Sequence, residues 1–193
     1  MRPLLIAGLL SLGAIPTQAE MVRYELDPGH TVVYFTVDHI GYAKTLGVFT
    51  EVEGGFSYDA ATQALSGVDV TINAVSVETF NAARDNHVRN QDFLDVSQFP
   101  EIVFVAESGT PESDTSGTVT GDLTLLGETR PVTLAVTLNK TAPYPFGHGR
   151  EVLGLSLETS IQRSDFGMSY AVENGLVGDV VDIKVETEAI RSE

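Results

Sequence analysis

The side chains best suited to chemistry are concentrated in residues 76–100, where Arg84, Asp85 and His87 lie within four positions of one another. A guanidinium, a carboxylate and an imidazole at this spacing could act in acid–base catalysis or meet the polar head group of a ligand. Because buried or half-buried charges are usually paired, Asp85 is better explained as a structural partner that holds Arg84 in place. The role of His87 stays open at this point.

Histidines and nearby aspartates are also the candidate metal ligands, but their spacing matches no known metal motif. His30, His39 and His87 each have an aspartate close by, yet none forms a pattern such as H-E-x-x-H, and the chain has no cysteine. A G-x-S-x-G elbow and a glycine-rich phosphate loop are absent as well. The sequence therefore predicts no catalytic residue, no metal site and no cofactor. A metal-dependent or acid–base enzyme that uses Arg84, Asp85 and His87 is the alternative.

The elements that must position this cluster are short strands. Eight segments alternate apolar and polar residues or are rich in β-branched and aromatic side chains, namely 31–38, 48–58, 66–74, 101–107, 117–126, 131–140, 152–161 and 179–190. Residues 41–47 are expected to form a loop, and a bulge is expected near Gly54, where the apolar parity shifts. Within 76–100, residues 81–90 are suited to a short helix with Asn81 as its N-cap. Arg163 and Asp165 in R-S-D-F-G are expected to pair structurally.

Eight strands joined mostly by short turns predict an all-β fold. Eight is the number at which an up-and-down antiparallel sheet closes into a barrel wide enough for one small ligand, and closure removes exposed edges. A two-sheet sandwich has the same alternation, so both architectures stay open on this argument. In the barrel, the helical segment lies between strands 3 and 4 and is interpreted as a cap. Residues 20–193 are expected to form one domain.

Residues 1–19 have the pattern of a secretory signal peptide. Arg2 precedes an apolar run over residues 3–15, and Ala19 is a small residue suited to cleavage before Glu20. We therefore expect an exported, periplasmic protein without a stable membrane anchor. Removal of this segment leaves 10 basic and 27 acidic side chains, a formal charge of −17. That charge argues against binding to nucleic acid or to anionic lipid head groups.

Four blocks of sequence resemble a known family. They are D-P-G-H-T-V-V-Y-F-T-V-D-H-I-G at 27–41, the stretch 76–104 that contains R-D-N-H-V-R, G-T-V-T-G-D-L-T-L-L-G-E-T-R-P-V at 117–132, and R-S-D-F-G-M at 163–168 with V-G-D-V-V-D-I at 177–183. In this order they resemble the YceI-like family of bacterial periplasmic polyisoprenoid-binding proteins, from about residue 24 to residue 190. One departure is Thr31, where the family usually has serine. The resemblance implies a lipocalin-like eight-stranded barrel whose interior holds an extended isoprenoid or another long amphiphile.

On this interpretation the inward-facing side chains are candidates for lipid binding. They are Val33, Phe35, Val37, Val70, Ile72, Ile102, Phe104, Leu123, Leu125, Leu134, Val136, Leu155, Leu157, Val181 and Ile183. The candidates for the cap or for head-group contacts are His39, Phe80, Arg84, Asp85, His87 and Phe93. Composition alone would equally allow these side chains to fill the barrel as a packed core, and the resemblance favours a cavity.

The expected partner is a hydrophobic lipid, held for transport, storage or stress response. Because cations are few, a neutral or weakly charged head group such as a quinone or a fatty amide is favoured over a diphosphate. Exposed alternating strands also allow a homodimer.

Overall fold

The computed structural model describes residues 20–193, so the predicted signal peptide lies outside the described residues. These residues form twelve strands in a single antiparallel sheet. The strands are β1 (Val22–Leu26), β2 (Val32–His39), β3 (Ala43–Phe49), β4 (Val52–Asp59), β5 (Ala64–Asn73), β6 (Val77–Glu78), β7 (Glu101–Ala106), β8 (Thr110–Pro111), β9 (Ser116–Leu125), β10 (Glu128–Pro143), β11 (Glu151–Gln162) and β12 (Val177–Arg191).

The sheet closes because the last strand pairs with the first part of the chain. β12 pairs with β1 at its end, where Glu25 faces Ile190, and with β2 further back, where Phe35 faces Ile183. β1 and β2 therefore act as one long barrel strand, and β3 with β4 form the next, because β2 pairs with β3 and β1 with β4. From there each barrel strand pairs with the next in sequence. The predicted eight-stranded antiparallel up-and-down barrel is confirmed.

Four of the twelve strands, β1, β3, β6 and β8, were not predicted as separate strands. β1 precedes the first segment predicted to be a strand, β3 occupies most of the loop expected over residues 41–47, and β6 and β8 have two residues each. Gly47 in β3 is required by packing, since a Cβ atom there would lie 2.2 Å from Cζ of Phe35 on the neighbouring strand. The bulge expected near Gly54 is confirmed. The chain leaves regular pairing between β3 and β4, and the β4–β5 register shifts between Gly55 and Ser57.

The long connection between β5 and β7 contains the predicted helix. It runs through a 3₁₀ helix (Ala74–Ser76), β6 and helix α1 (Ala82–Val88). Asn81 is the N-cap of α1, and its side-chain oxygen accepts a hydrogen bond from the backbone N–H of Arg84 at 3.1 Å. This segment, residues 74–100, is called the cap below. Both the short helix and its N-cap are therefore as predicted.

Three further connections lie at the same end of the barrel as the cap, namely the β2–β3 turn, the short β9–β10 turn and the β11–β12 connection. The β11–β12 connection begins with a 3₁₀ helix (Arg163–Phe166) and continues to residue 176. The turn between β2 and β3 contacts it, because the backbone N–H of Ile40 donates to the carbonyl of Leu176 at 3.2 Å. We call this the cap end. The connections at residues 60–63, 107–115 (which include β8) and 144–150 lie at the opposite end.

Candidate functional site

The interior of the barrel is a cavity of about 610 Å³. Its lining includes apolar side chains from every barrel strand and polar side chains at both ends. Every residue that the sequence predicted to face the lumen lies in this lining. The geometry is that of a pocket of ordinary ligand size, since small-molecule sites span roughly 300–1,000 Å³.

Partial burial of the inward side chains shows that the lumen is not a packed core. Val136, Leu157 and Ile183 point inward but are only half-buried, because they border open space. Ile102 and Phe104, on the other wall, are buried. A packed eight-stranded barrel would bury all of these side chains alike. The structure therefore favours the cavity over the packed interior.

The cavity is long as well as apolar. β11 has 12 residues, and at about 3.3 Å per residue with a tilt of about 40° such a strand spans roughly 30 Å along the barrel axis. Residues at both ends contribute to the lining, including His39 at the cap end and Thr115 at the opposite end. This shape suits an extended chain better than a compact ring system.

Arg84 and Asp85 both bind the same buried residue, Thr79. The Asp85 carboxylate accepts hydrogen bonds from the backbone N–H and the hydroxyl of Thr79, both at 2.6 Å. Nε of Arg84 donates to the Thr79 hydroxyl at 2.8 Å, and a second guanidinium nitrogen donates to its carbonyl. The Thr79 hydroxyl is the main cause that lowers the pKa of Asp85. The arrangement supports a structural role for Asp85, which lies outside the cavity lining, whereas Arg84 belongs to it.

His87 is part of an aromatic cluster that joins the cap to the β11–β12 connection. Its ring packs edge-on against Phe93 at 5.1 Å and against Tyr170 at 5.4 Å between ring centroids, and Phe93 contacts Tyr170 at 5.3 Å. Nε2 of His87 lies 2.9 Å from a carboxylate oxygen of Asp92. His87, Phe93 and Tyr170 all line the cavity. The cluster therefore forms part of the wall at the cap end.

The other predicted cap residues differ in position. His39 is exposed and lies at the cavity mouth. Phe80 is exposed and lies outside the lining, although Thr79 beside it is part of the lining. The contacts that the sequence predicts between these residues and a ligand therefore stay predictions.

Arg163 is a cavity residue whose surroundings sequence reasoning did not anticipate. It is 2% exposed, and its guanidinium donates to the carbonyls of Met168, Gly178, Tyr170 and Val177 at 2.8–2.9 Å. It also lies over the ring of Phe93, 5.7 Å from the ring centroid.

The predicted pairing of Arg163 with Asp165 is wrong, because the acceptors of Arg163 are backbone carbonyls and Asp165 is exposed. Burial lowers the pKa of Arg163, and the charge of Asp179 opposes that effect. Asp179 itself accepts hydrogen bonds from the backbone and hydroxyl of Ser164. The dipoles of four backbone carbonyls thus stabilise the Arg163 cation. The sequence around Arg163 could not indicate these acceptors, since all four belong to residues 168–178.

One group among residues 20–193 has the chemistry of a metal site. The side-chain ligand atoms of Asp27, His30 and Glu188 lie within 4.8 Å of one another. Asp27 already closes the turn between β1 and β2, accepting from the Gly29 N–H at 2.9 Å and lying 2.8 Å from Nδ1 of His30. This hydrogen bond is the main cause that raises the pKa of His30 and lowers that of Asp27. The hydrogen bonds that close this turn are enough to explain why the Asp27 and His30 side chains lie together. The absence of a metal site stays a prediction.

No helix in the described part of the chain is both long enough and apolar enough to cross a membrane.

Comparison with known proteins gives consistent matches. The YceI-like domain family matches residues 24–189. A UPF0312 protein of Pseudomonas putida is 33% identical over 186 residues, which cover 95% of this chain and 92% of the relative. The crystal structure of a Campylobacter jejuni YCEI protein is 28% identical, with a TM-score of 0.73 over 81% of this chain and 90% of that chain.

A polyisoprenoid binding domain from Saccharophagus degradans has a similar structure, with a TM-score of 0.63 over 89% of this chain and 99% of that chain. Its identity of 14% shows the shared fold alone. The family match, in contrast, extends over most of the sequence. The chain therefore belongs to the YceI-like domain family.

Proposed function

We propose that this protein is a periplasmic binding or carrier protein that holds an isoprenoid or a similar long-chain amphiphile in the barrel lumen. The observation that supports it most is the apolar cavity of about 610 Å³, lined from every barrel strand. A polyprenyl chain, a quinone with its tail or a fatty amide has the shape and polarity of this space. Transport, storage and protection under stress are all roles that such binding serves.

The energetics suit a carrier. Burial of a methylene group contributes about 0.8 kcal/mol relative to water, so a chain of about forty carbons would gain roughly 30 kcal/mol. Non-covalent affinities saturate well below that value. The relevant comparison is therefore between the lumen and a bilayer, two apolar environments of similar quality. A near balance between them allows the ligand to move in either direction.

The cations of the cavity favour a neutral head group. In the part of the chain that the structure describes, Arg84 and Arg163 are the arginines in the lining. Arg84 is engaged with Thr79, and Arg163 with four carbonyls. A diphosphate would need several cations with N–H groups directed at it. His39, His87 and Tyr170, at the cap end, could instead offer hydrogen bonds to a quinone or amide oxygen.

The enzymatic alternative has less support. Of its three proposed residues, Asp85 lies outside the cavity lining and Arg84 is engaged with Thr79. We therefore infer that the protein binds its ligand without chemically changing it. A homodimer, which the sequence allowed, stays a prediction.

A pair of neighbouring substitutions tests the proposal. Val136 faces the lumen, whereas Ala135 is exposed on the outside of the same strand. Val136→Trp should weaken binding of radiolabelled geranylgeraniol at least about tenfold, which corresponds to 1.4 kcal/mol, because the indole occupies space that the chain needs. Ala135→Trp should bind like the unaltered protein. Equal binding by both variants, or no binding by the unaltered protein, would contradict the proposal.

The head-group preference is tested with the same assay. Geranylgeranyl diphosphate should bind no more tightly than geranylgeraniol. Tighter binding of the diphosphate that falls in Arg84→Ala would show that the preference for a neutral head group is wrong.

A further inference from the structure

Exposed apolar side chains lie at the cavity mouth at the cap end, in the β2–β3 turn and the β11–β12 connection. Ile40, Tyr170 and Leu176 line the cavity and are nevertheless 45–47% exposed. Tyr42, in the turn beside Ile40, is 89% exposed. We call Ile40, Tyr42, Tyr170 and Leu176 the rim patch. Ile40, Tyr170 and Leu176 thus belong both to the cavity lining and to the outer surface, and exposed apolar side chains that cluster in this way are typical of an interaction site.

The backbone at Ile40 gives independent support. Ile40 has φ of 57° and Gly41 has φ of 72°, and the N–H of Tyr42 donates to the carbonyl of His39 at 3.1 Å. A turn with two left-handed positions favours asparagine, aspartate and glycine. A β-branched residue there is strained. Isoleucine is thus unfavourable at this position for two reasons: its backbone is left-handed and its apolar side chain is exposed. Backbone strain of this kind is often retained where function requires the side chain.

The charges around the mouth decide which partner fits. Asp38 lies in the cavity lining next to the turn, and Glu173 is exposed in the β11–β12 connection. Lys44 is paired with Asp182. With a formal charge of −16 for the full chain, the protein as a whole repels anionic surfaces. An apolar rim without excess positive charge is suited to a surface of zwitterionic lipid.

We propose that the rim patch docks the cap end onto a zwitterionic bilayer, so that the ligand passes between membrane and lumen without crossing water. This inference rests on the proposed function, because it assumes that the ligand of the lumen is a membrane lipid. Tyrosine suits the lipid–water interface, since it combines an apolar ring with a polar tip. Ile40 and Leu176 would enter the acyl boundary and join it to the cavity.

The absence of tryptophan from the chain allows a direct test. Tyr42→Trp places a single fluorophore in the rim patch, and Phe146→Trp places one at the opposite end, where Phe146 is 73% exposed. With phosphatidylcholine vesicles, the emission of Tyr42→Trp should shift to shorter wavelength and that of Phe146→Trp should stay constant. No shift at position 42, or equal shifts at both positions, would overturn the proposal.

A second variant separates docking from folding. Ile40→Asn in the Tyr42→Trp background should reduce partitioning into these vesicles about tenfold, because the inserted aliphatic side chain is lost. Its thermal midpoint should rise, because asparagine tolerates the left-handed backbone. Unchanged partitioning would contradict the proposal.

Varying the charge of the lipid tests the docking proposal independently. Replacing part of the phosphatidylcholine with phosphatidylglycerol should weaken partitioning, and added salt should restore it by screening the repulsion. Stronger binding to the anionic vesicles would show that electrostatic attraction, and not the rim patch, brings the protein to membranes.

Failure of this inference can be distinguished from failure of the proposed function. Tyr42 lies outside the cavity lining, so Tyr42→Asp should lose co-flotation with phosphatidylcholine vesicles and still bind geranylgeraniol in their absence. Phe146→Asp is the matched control and should retain both properties. Binding of the polyprenol with no vesicle docking by the unaltered protein would overturn the rim patch alone. Docking without polyprenol binding would contradict the proposed function, and with it the identity of the lipid that is exchanged.

Discussion

At the scale of single residues, Arg84 and Asp85, which the sequence singled out as candidates for chemistry, have a structural role in the cap. Arg84 and Asp85 meet on Thr79 rather than on each other, and so they tie the start of α1 to the end of β6. The sequence predicted a structural role for Asp85 from the rule that charges are paired. It could not identify Thr79 as the shared partner, because hydroxyl groups are satisfied in many ways and only the folded cap brings these three residues together.

Loss of this carboxylate should loosen the cap. Asp85→Asn should lower the free energy of unfolding in urea by about 1 kcal/mol, since a charged acceptor of two hydrogen bonds is replaced at a half-exposed site. Because folding lowers the pKa of Asp85, its contribution is present above the unfolded pKa of about 3.9 and is lost as the pH falls through the folded pKa. The difference between variant and unaltered protein should therefore shrink below about pH 4.

The exposed Asp122 provides the matched control. Asp122→Asn should leave the free energy of unfolding within about 0.5 kcal/mol. An equal loss in both variants would show that the effect reflects net charge and not the contacts with Thr79.

The turn between β1 and β2 should have a characteristic pH dependence. Folding raises the pKa of His30, chiefly through its hydrogen bond with Asp27, so its contribution is complete below the unfolded pKa of about 6.5 and is lost as the pH rises through the folded pKa. The unaltered protein should exceed His30→Gln in thermal midpoint by more at pH 5 than at pH 8. Titration of His30 by NMR at or below its ordinary pKa would contradict this explanation.

At the scale of elements, the alternation of apolar and polar residues predicts most strands, but packing between neighbouring elements determines where the remaining strands and connections form. The alternating strands were predicted because their inward residues repeat every second position. β3 was missed because it contains Lys44 and Gly47, residues that are unfavourable in strands, and because the need for Gly47 arises from the Phe35 ring on β2. β1 was missed because it is short and carries Arg23 and Glu25 on its outer face.

The conformation of the β11–β12 connection likewise depends on tertiary contacts, here the hydrogen bonds that Arg163 donates to its backbone carbonyls. Arg163→Lys should lower the free energy of unfolding by about 3 kcal/mol, because an ammonium group cannot reach four carbonyls and leaves buried acceptors unsatisfied. Arg130→Lys is the matched control, since Arg130 is half-exposed and paired with Glu128 at 3.2 Å. It should change unfolding by less than about 0.5 kcal/mol. Similar losses in both variants would show that the carbonyl contacts of Arg163 contribute little.

At the scale of the whole molecule, the barrel combines closure with an incompletely filled interior. The number of barrel strands and the identity of the inward residues followed from alternation, and every predicted lumen residue borders the cavity. The volume of that cavity could not be predicted, because composition is the same for a packed and an open lumen. It depends on the tilt and radius of the closed sheet, which are properties of the assembled strands.

The central claim is that this lumen holds a long-chain lipid, and native mass spectrometry tests it most directly. Protein expressed in bacteria from the full sequence and purified from the cell envelope without detergent should carry an adduct with the mass of an isoprenoid, a quinone or an acyl lipid. Val136→Trp prepared in the same way should carry less of it or none. A ligand-free spectrum of the unaltered protein after gentle ionisation would contradict the account.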